Sequence, residues 1–337
     1  MPDTVQHRAQ VSLISRRMLC SGFAALAAVA KRTGATVPAR IDAAPHADIG
    51  PPDMRFSYVV GAGGVPLSVA QTGDPRSAGI LFLHGLGQSH LSFALQLHSS
   101  LAQRFHLVAF DLRGHGNSGK PWDPEAYSDS GRWADDVARV IAATGLERPV
   151  IVAWSYGTLV AGDYLRHLGS AGLSGIVMIG ALGGLATLPL AALDPAYMAK
   201  LQRLHQLNAS PGLENTLAAS HDIVPLLTAR PMPAAWTAMA ETVNAMVPPF
   251  ARSVMGARLS TDNKDLIPQI RVPMMLLAGS EDRGTPRSLM QSLADSLPAH
   301  TQVSVYDGSG HSAFAEEPVR FNRDLEAFAT RAFSPAA

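Results

Sequence analysis

The chain of 337 residues carries one cysteine, Cys20, and no excess of charge of either sign. It also lacks an apolar run of the roughly 20 residues that a membrane-spanning helix needs. A single cysteine excludes an internal disulfide framework and any cysteine-based zinc site. The 27 basic and 27 acidic residues cancel, and the body of the chain has no Lys/Arg run. A general nucleic-acid binder would carry a basic surplus, so nucleic acid is excluded as a partner class. With 47% apolar and 16% charged residues, the composition is that of a globular protein with a buried core, not of a disordered chain.

The N-terminus has the form of an export address. Ser15-Arg16-Arg17 precedes the Ala-rich apolar stretch 18–30, which ends in Ala28-Val29-Ala30. A basic region, a short apolar region and a small-x-small end, in that order, describe an export signal over residues 1–30. The paired arginines resemble the twin-arginine type, which implies a periplasmic or secreted protein. Lys31-Arg32 directly after the expected cut is a departure from that pattern. Cys20 precedes most of the apolar run and is not in a lipoprotein-like position. Residues 31–55 contain Pro38, Pro45, Pro51 and Pro52 without periodicity and are expected to form a linker.

From residue 56 the chain alternates between strand-like and helix-like stretches. Continuous apolar runs at 79–83, 105–110, 149–153, 175–180 and 272–277 suit strands covered on both faces. Residues 65–72 and 302–306 read as further strands. Trp133, Val137, Val140 and Ile141 share one helical face, as do Phe321, Leu325, Phe328 and Ala332. This alternation implies a mostly parallel sheet with helices on both sides. The stretch 183–269 has no strand signal. It is rich in Leu, Ala, Met and Pro and is expected to be a helical insertion.

Four short motifs follow predicted strands. Ala153-Trp154-Ser155-Tyr156-Gly157 stands between a strand and a helix, where a sharp turn exposes a serine. The usual pattern is G-x-S-x-G, and Ala153 adds one methyl group at its first position. His84-Gly85-Leu86-Gly87-Gln88-Ser89 can aim a backbone N–H into the same site. The Leu86 and Tyr156 amides are therefore the candidates for an oxyanion hole. In Gly279-Ser280-Glu281-Asp282-Arg283-Gly284, Asp282 is the candidate acid and Glu281 its competitor. In Asp307-Gly308-Ser309-Gly310-His311-Ser312, His311 has an ordinary pKa suited to taking and returning a proton near neutrality. His84, Asp111, Arg113 and His115 read as residues that tie loops together.

The order Ser155, Asp282, His311 on alternating strands and helices resembles the α/β-hydrolase family over residues 56–332. Asp111-Leu112-Arg113-Gly114-His115-Gly116-Asn117-Ser118 is similar to the family's D-x-R-G-x-G-x-S segment. The insertion stands where such proteins carry a helical cap. The resemblance implies an eight-stranded, mostly parallel sheet built from 56–182 and 270–334, with a cap at 183–269 inserted after strand 6. Some relatives carry the acid after the preceding strand. Here that strand runs into Gly180-Ala181-Leu182-Gly183-Gly184, which offers no carboxylate. Serine at position 155 separates the chain from epoxide hydrolases and haloalkane dehalogenases, which place aspartate there.

These residues imply a Ser155–His311–Asp282 triad working through an acyl-enzyme, with no metal and no organic cofactor required. The leading expectation is an ester hydrolase for a small or medium, largely uncharged substrate. The cap residues Trp236, Met239, Met246 and Phe250 are the candidates for lining an apolar pocket. Several alternatives use the same triad. These are a lactonase or C–C hydrolase, a cofactor-free haloperoxidase-like perhydrolase, an acyltransferase, and a ligand receptor that retains the triad.

Overall fold

The computed structural model describes residues 53–187, 191, 193–210, 212–298 and 301–334. The export-signal segment 1–30 and residues 31–52 of the linker lie outside the described residues.

Eight strands form one sheet: β1 Arg55–Val60, β2 Pro66–Thr72, β3 Gly79–Leu83, β4 His106–Phe110, β5 Val150–Trp154, β6 Gly175–Ile179, β7 Met274–Gly279 and β8 Gln302–Tyr306. Their spatial order is β1-β2-β4-β3-β5-β6-β7-β8. Only β2 is reversed, pairing antiparallel with β1 and β4, while all other neighbours are parallel. The helices of eight or more residues are α1 Ser130–Ala143, α2 Tyr156–Leu168, α3 Pro195–Ala209, α4 Leu213–Ile223, α5 Ala234–Ala245, α6 Pro249–Ala257, α7 Arg287–Ala294 and α8 Pro318–Phe333. Among the described residues, no helix is long and apolar enough to cross a membrane.

Every residue of β3 through β7 is buried, which accounts for their unbroken apolar runs. Successive residues of a strand face opposite sides of the sheet. Leu81 and Leu83 pack in the layer that holds Trp133, Val137 and Val140 of α1. Ile80 and Phe82 pack in the other layer, with Phe321, Leu325 and Phe328 of α8. Seven strands lie within two residues of their sequence-based positions. The strand β1 does not appear in the sequence pattern, because its apolar residues Phe56, Tyr58 and Val60 face outward and are exposed. Arg55 already pairs with Gln71, so the linker gives way to the sheet one residue before its expected end.

Between β6 and β7 the described residues contain helices α3 to α6 and no strand. Below this insertion, the loops after β3, β5, β6, β7 and β8 share the carboxyl edge of the parallel strands. Buried side chains brace that edge. Arg113, fully buried, donates to both Asp136 oxygens at 2.7 Å and to the carbonyls of Ala126 and Ala62. Asp111 accepts from the His90 amide and ring at 2.8 and 2.7 Å, and from the Asn117 amide at 2.8 Å.

Candidate active site

Ser155 stands between β5 and α2 with φ 53° and ψ −118°. A non-glycine residue there is strained by about 1–3 kcal/mol and persists only where its surroundings impose it. The Ser155 amide donates to Ile179 O at 2.9 Å, continuing the β5–β6 ladder. A side chain at Gly157 would overlap the Leu83 carbonyl, so this position requires glycine. Ala153, fully buried within β5, fills the place of the pattern's first glycine. Trp154 holds the opposite end of the site, because its Nε1 donates to His311 O at 3.0 Å.

The loop after β3 reaches Ser155. A Cβ added to Gly85 would lie 3.1 Å from Ser155 Cβ. His84 Nε2 accepts from the Leu112 amide at 2.9 Å, so the ring proton sits on Nδ1 and points at Gly85 O, 2.8 Å away. Burial pushes the His84 pKa down to about 4, and the ring remains neutral as a brace between the β3 and β4 loops. The Leu86 amide donates to no protein acceptor among the described residues. The Tyr156 amide, at the first position of α2, has no intrahelical acceptor and lies at the positive end of the helix dipole.

Asp282 and His311 face each other across the loops after β7 and β8. His311 Nδ1 donates to Asp282 Oδ2 at 3.0 Å, and Asp282 Oδ1 accepts from the Gly284 amide at 3.0 Å. The Asp282 side chain is 2% exposed and that of His311 20%. The Glu281 amide donates to Ser309 O at 2.9 Å, and the Ser312 amide donates to Leu227 O at 2.7 Å, pinning both loops. The Glu281 side chain takes no part, since its contact is with Ser280 in an exposed position. Among the described residues no hydrogen bond joins Ser155 Oγ to His311. Such catalytic contacts often close only when substrate is bound.

A cavity of about 660 Å³ opens beside Ser155. Its walls include Leu159 of α2, Leu182 after β6, Tyr197 and Leu201 of α3, Leu259 beyond α6 and Leu289 of α7. None of its lining residues is charged. The expected pocket residues Trp236, Met239, Met246 and Phe250 are not among them. Trp236 packs against the layer that holds Phe314 and Phe321. Phe250 stacks on Trp122 with ring centroids 4.5 Å apart. Met239 is half-buried and Met246 is exposed. The apolar faces of α5 and α6 are occupied in seating the insertion on the core. The cavity walls instead come from loops at the sheet edge and from a few positions on α2, α3 and α7. Among the described residues, no group of three or more His, Cys, Asp or Glu side chains is placed to hold a metal ion.

Burial alone would lower the His311 pKa, but the charge of Asp282 and its hydrogen bond outweigh burial and raise it above the ordinary 6.5. A raised histidine pKa stabilises the fold below the unfolded value, and that contribution is lost as pH rises through the folded one. An NMR titration of the His311 ring is expected to have its midpoint above 6.5 in the unaltered protein. In Asp282→Asn only burial remains, and the midpoint should fall below 6.5. A midpoint that does not move with this substitution would contradict the pairing.

A family model described as "Alpha/beta hydrolase family" matches residues 80–324. The crystal structure of a candidate aryl esterase from Burkholderia cenocepacia is 31% identical, with a TM-score of 0.73, covering 82% of this chain and 99% of its own. The esterase RhEst1 of Rhodococcus sp. ECU1013 is 27% identical, with a TM-score of 0.69, covering 82% of this chain and 98% of its own. The bifunctional esterase/perhydrolase DCH of Acinetobacter calcoaceticus is 26% identical over 298 residues, which are 81% of this chain and 99% of the relative. With its family model matched over most of its length and its sheet in the same architecture, the chain belongs to the alpha/beta hydrolase family.

Proposed function

We propose that the protein is a serine hydrolase that cleaves carboxylic esters of small or medium, uncharged substrates. The family and its esterase relatives support ester hydrolysis in general terms. The observation that carries the finer reading is the 3.0 Å His311–Asp282 bond beside a serine in a strained turn that opens into an uncharged cavity.

With Nδ1 held by Asp282, the free Nε2 of His311 takes the Ser155 proton as Oγ adds to the ester carbonyl carbon. The carbonyl electron pair moves to oxygen, where the Leu86 and Tyr156 amides receive it. Each such donor is worth about 3–4 kcal/mol of transition-state stabilisation. Collapse expels the alcohol, which leaves with the proton from His311. Water then attacks the acyl-enzyme by the same route and releases the acid and Ser155. A charged substrate group would be buried in the cavity without a partner, which is costly. The leucine-rich wall instead favours an apolar acyl or alkoxy group. The relative named as a bifunctional esterase/perhydrolase favours one second reading, in which hydrogen peroxide replaces water at the acyl-enzyme and a peracid leaves.

Purified protein should hydrolyse p-nitrophenyl butyrate, and Ser155→Ala should lose about 10⁴-fold or more in kcat/KM. Equal rates in the two would remove Ser155 from the mechanism. We further propose that residues 1–30 direct export, on the strength of Ser15-Arg16-Arg17, the apolar stretch behind it and Ala28-Val29-Ala30. Intact mass of the protein from a twin-arginine-competent host should show cleavage near Ala30. An uncleaved chain retained in the cytoplasm would contradict export.

A further inference from the structure

Tyr156 and Asp163 stand seven residues apart on α2, so their side chains leave the same face of the helix two turns apart. Both meet Arg258, which lies just beyond α6 where the insertion returns to the core. Arg258 Nη1 donates to Tyr156 Oη at 2.9 Å, and Nη2 donates to Asp163 Oδ1 and Oδ2 at 2.7 and 2.6 Å. All three residues are buried. The guanidinium also lies 5.4 Å from the ring of Trp133. A buried ion pair adds little stability over a well-packed apolar pair of the same size. Its location is therefore the informative property.

The pair joins the helix that follows Ser155 to the segment whose next residues, Leu259 and Ser260, line the cavity. That segment also bonds to Gly183 and Gly184, which line the same cavity. The Asn263 amide donates to Gly184 O at 2.9 Å, and its Nδ2 donates to Gly183 O at 2.8 Å. The Gly183 amide in turn donates to Thr158 Oγ1 at 3.0 Å, and that hydroxyl donates to Ser155 O at 2.6 Å. The returning segment thus touches the nucleophile turn by two routes.

We propose that Arg258 is a positioning residue that sets two parts of the site together: the Tyr156 amide, and the cavity wall at Leu259 and Ser260. The proposal rests on the reading of Ser155 as nucleophile. It separates two tasks within one network. The Tyr156 hydroxyl link orients the oxyanion donor, and the Asp163 link anchors the wall. Releasing both should lower the chemical rate and change which acyl chains fit. Shifts of about 1 Å at a site can cost up to about 10²-fold in rate.

The test compares the unaltered protein, Tyr156→Phe, and the double variant Arg258→Met/Asp163→Leu. The double variant replaces the pair with apolar groups and so avoids an orphaned charge. Readouts are kcat and KM on p-nitrophenyl acetate and hexanoate, with deuterium uptake of the peptides that contain Tyr156 and Leu259. In the double variant, kcat is expected to fall about tenfold or more, with the hexanoate-to-acetate ratio of kcat/KM displaced about fivefold. Tyr156→Phe should lower kcat while leaving that ratio in place. A correctly folded double variant that keeps kcat and the ratio within about twofold overturns the proposal. If the unaltered protein hydrolyses neither ester, the esterase reading fails by itself. The coupling is then judged on deuterium uptake. A joint rise in the two peptides supports it, and unchanged uptake overturns it.

Discussion

A serine at φ 53° and ψ −118° exists only where the chain around it leaves no other path. At Ser155 that condition is met from several directions. Its amide extends the β5–β6 ladder, Gly157 lets α2 press against the Leu83 carbonyl, and Trp154 reaches across to the His311 backbone. The strands behind the turn are buried on both faces, so the turn has a rigid base. The turn leaves Ser155 and Tyr156, the first residue of α2, lining the cavity. That placement suits the nucleophilic role we propose for Ser155. The remainder of the site is arranged around that turn.

Two histidines near this edge show how environment divides roles between like residues. His84 accepts a backbone N–H and is buried without a carboxylate bonded to its ring, so its pKa falls to about 4 and it cannot serve as a base near neutrality. His311 is also enclosed, yet the Asp282 charge raises its pKa. The opposite shifts support our reading of His84 as a brace and of His311 as the proton carrier. The same economy of charge runs through the molecule. Its balanced 27 basic and 27 acidic residues include buried pairs such as Arg113–Asp136 and Arg258–Asp163, which tie loops or helices rather than face the cavity.

The sheet was largely legible in the sequence because strands covered on both faces are unbroken apolar runs bounded by turns. The strand β1 escaped because Phe56, Tyr58 and Val60 point away from the core, the reverse of the usual pattern. The shared placement of Ser155, Asp282 and His311 could be anticipated because each stands in the connection after a parallel strand, and parallel strands deliver such residues to one edge. The cavity could not be read. Its walls are assembled from loops and from a few positions on helices far apart in the chain, and aromatic residues in the insertion serve to pack it down. The Tyr156–Asp163–Arg258 network had no sequence signal of its own. Arg258 stands about a hundred residues along the chain, near the end of the insertion, and only the fold brings it to Tyr156 and Asp163.

We propose Ser155 as the nucleophile and His311 as the base that activates it. This assignment is tested most directly by exposing the protein to a fluorophosphonate, which reacts covalently with activated serine, and mapping the adduct by peptide mass. Stoichiometric modification at Ser155 is expected, abolished when His311 is replaced by alanine. Modification at another residue, or labelling of Ser155 that persists undiminished without His311, would contradict it.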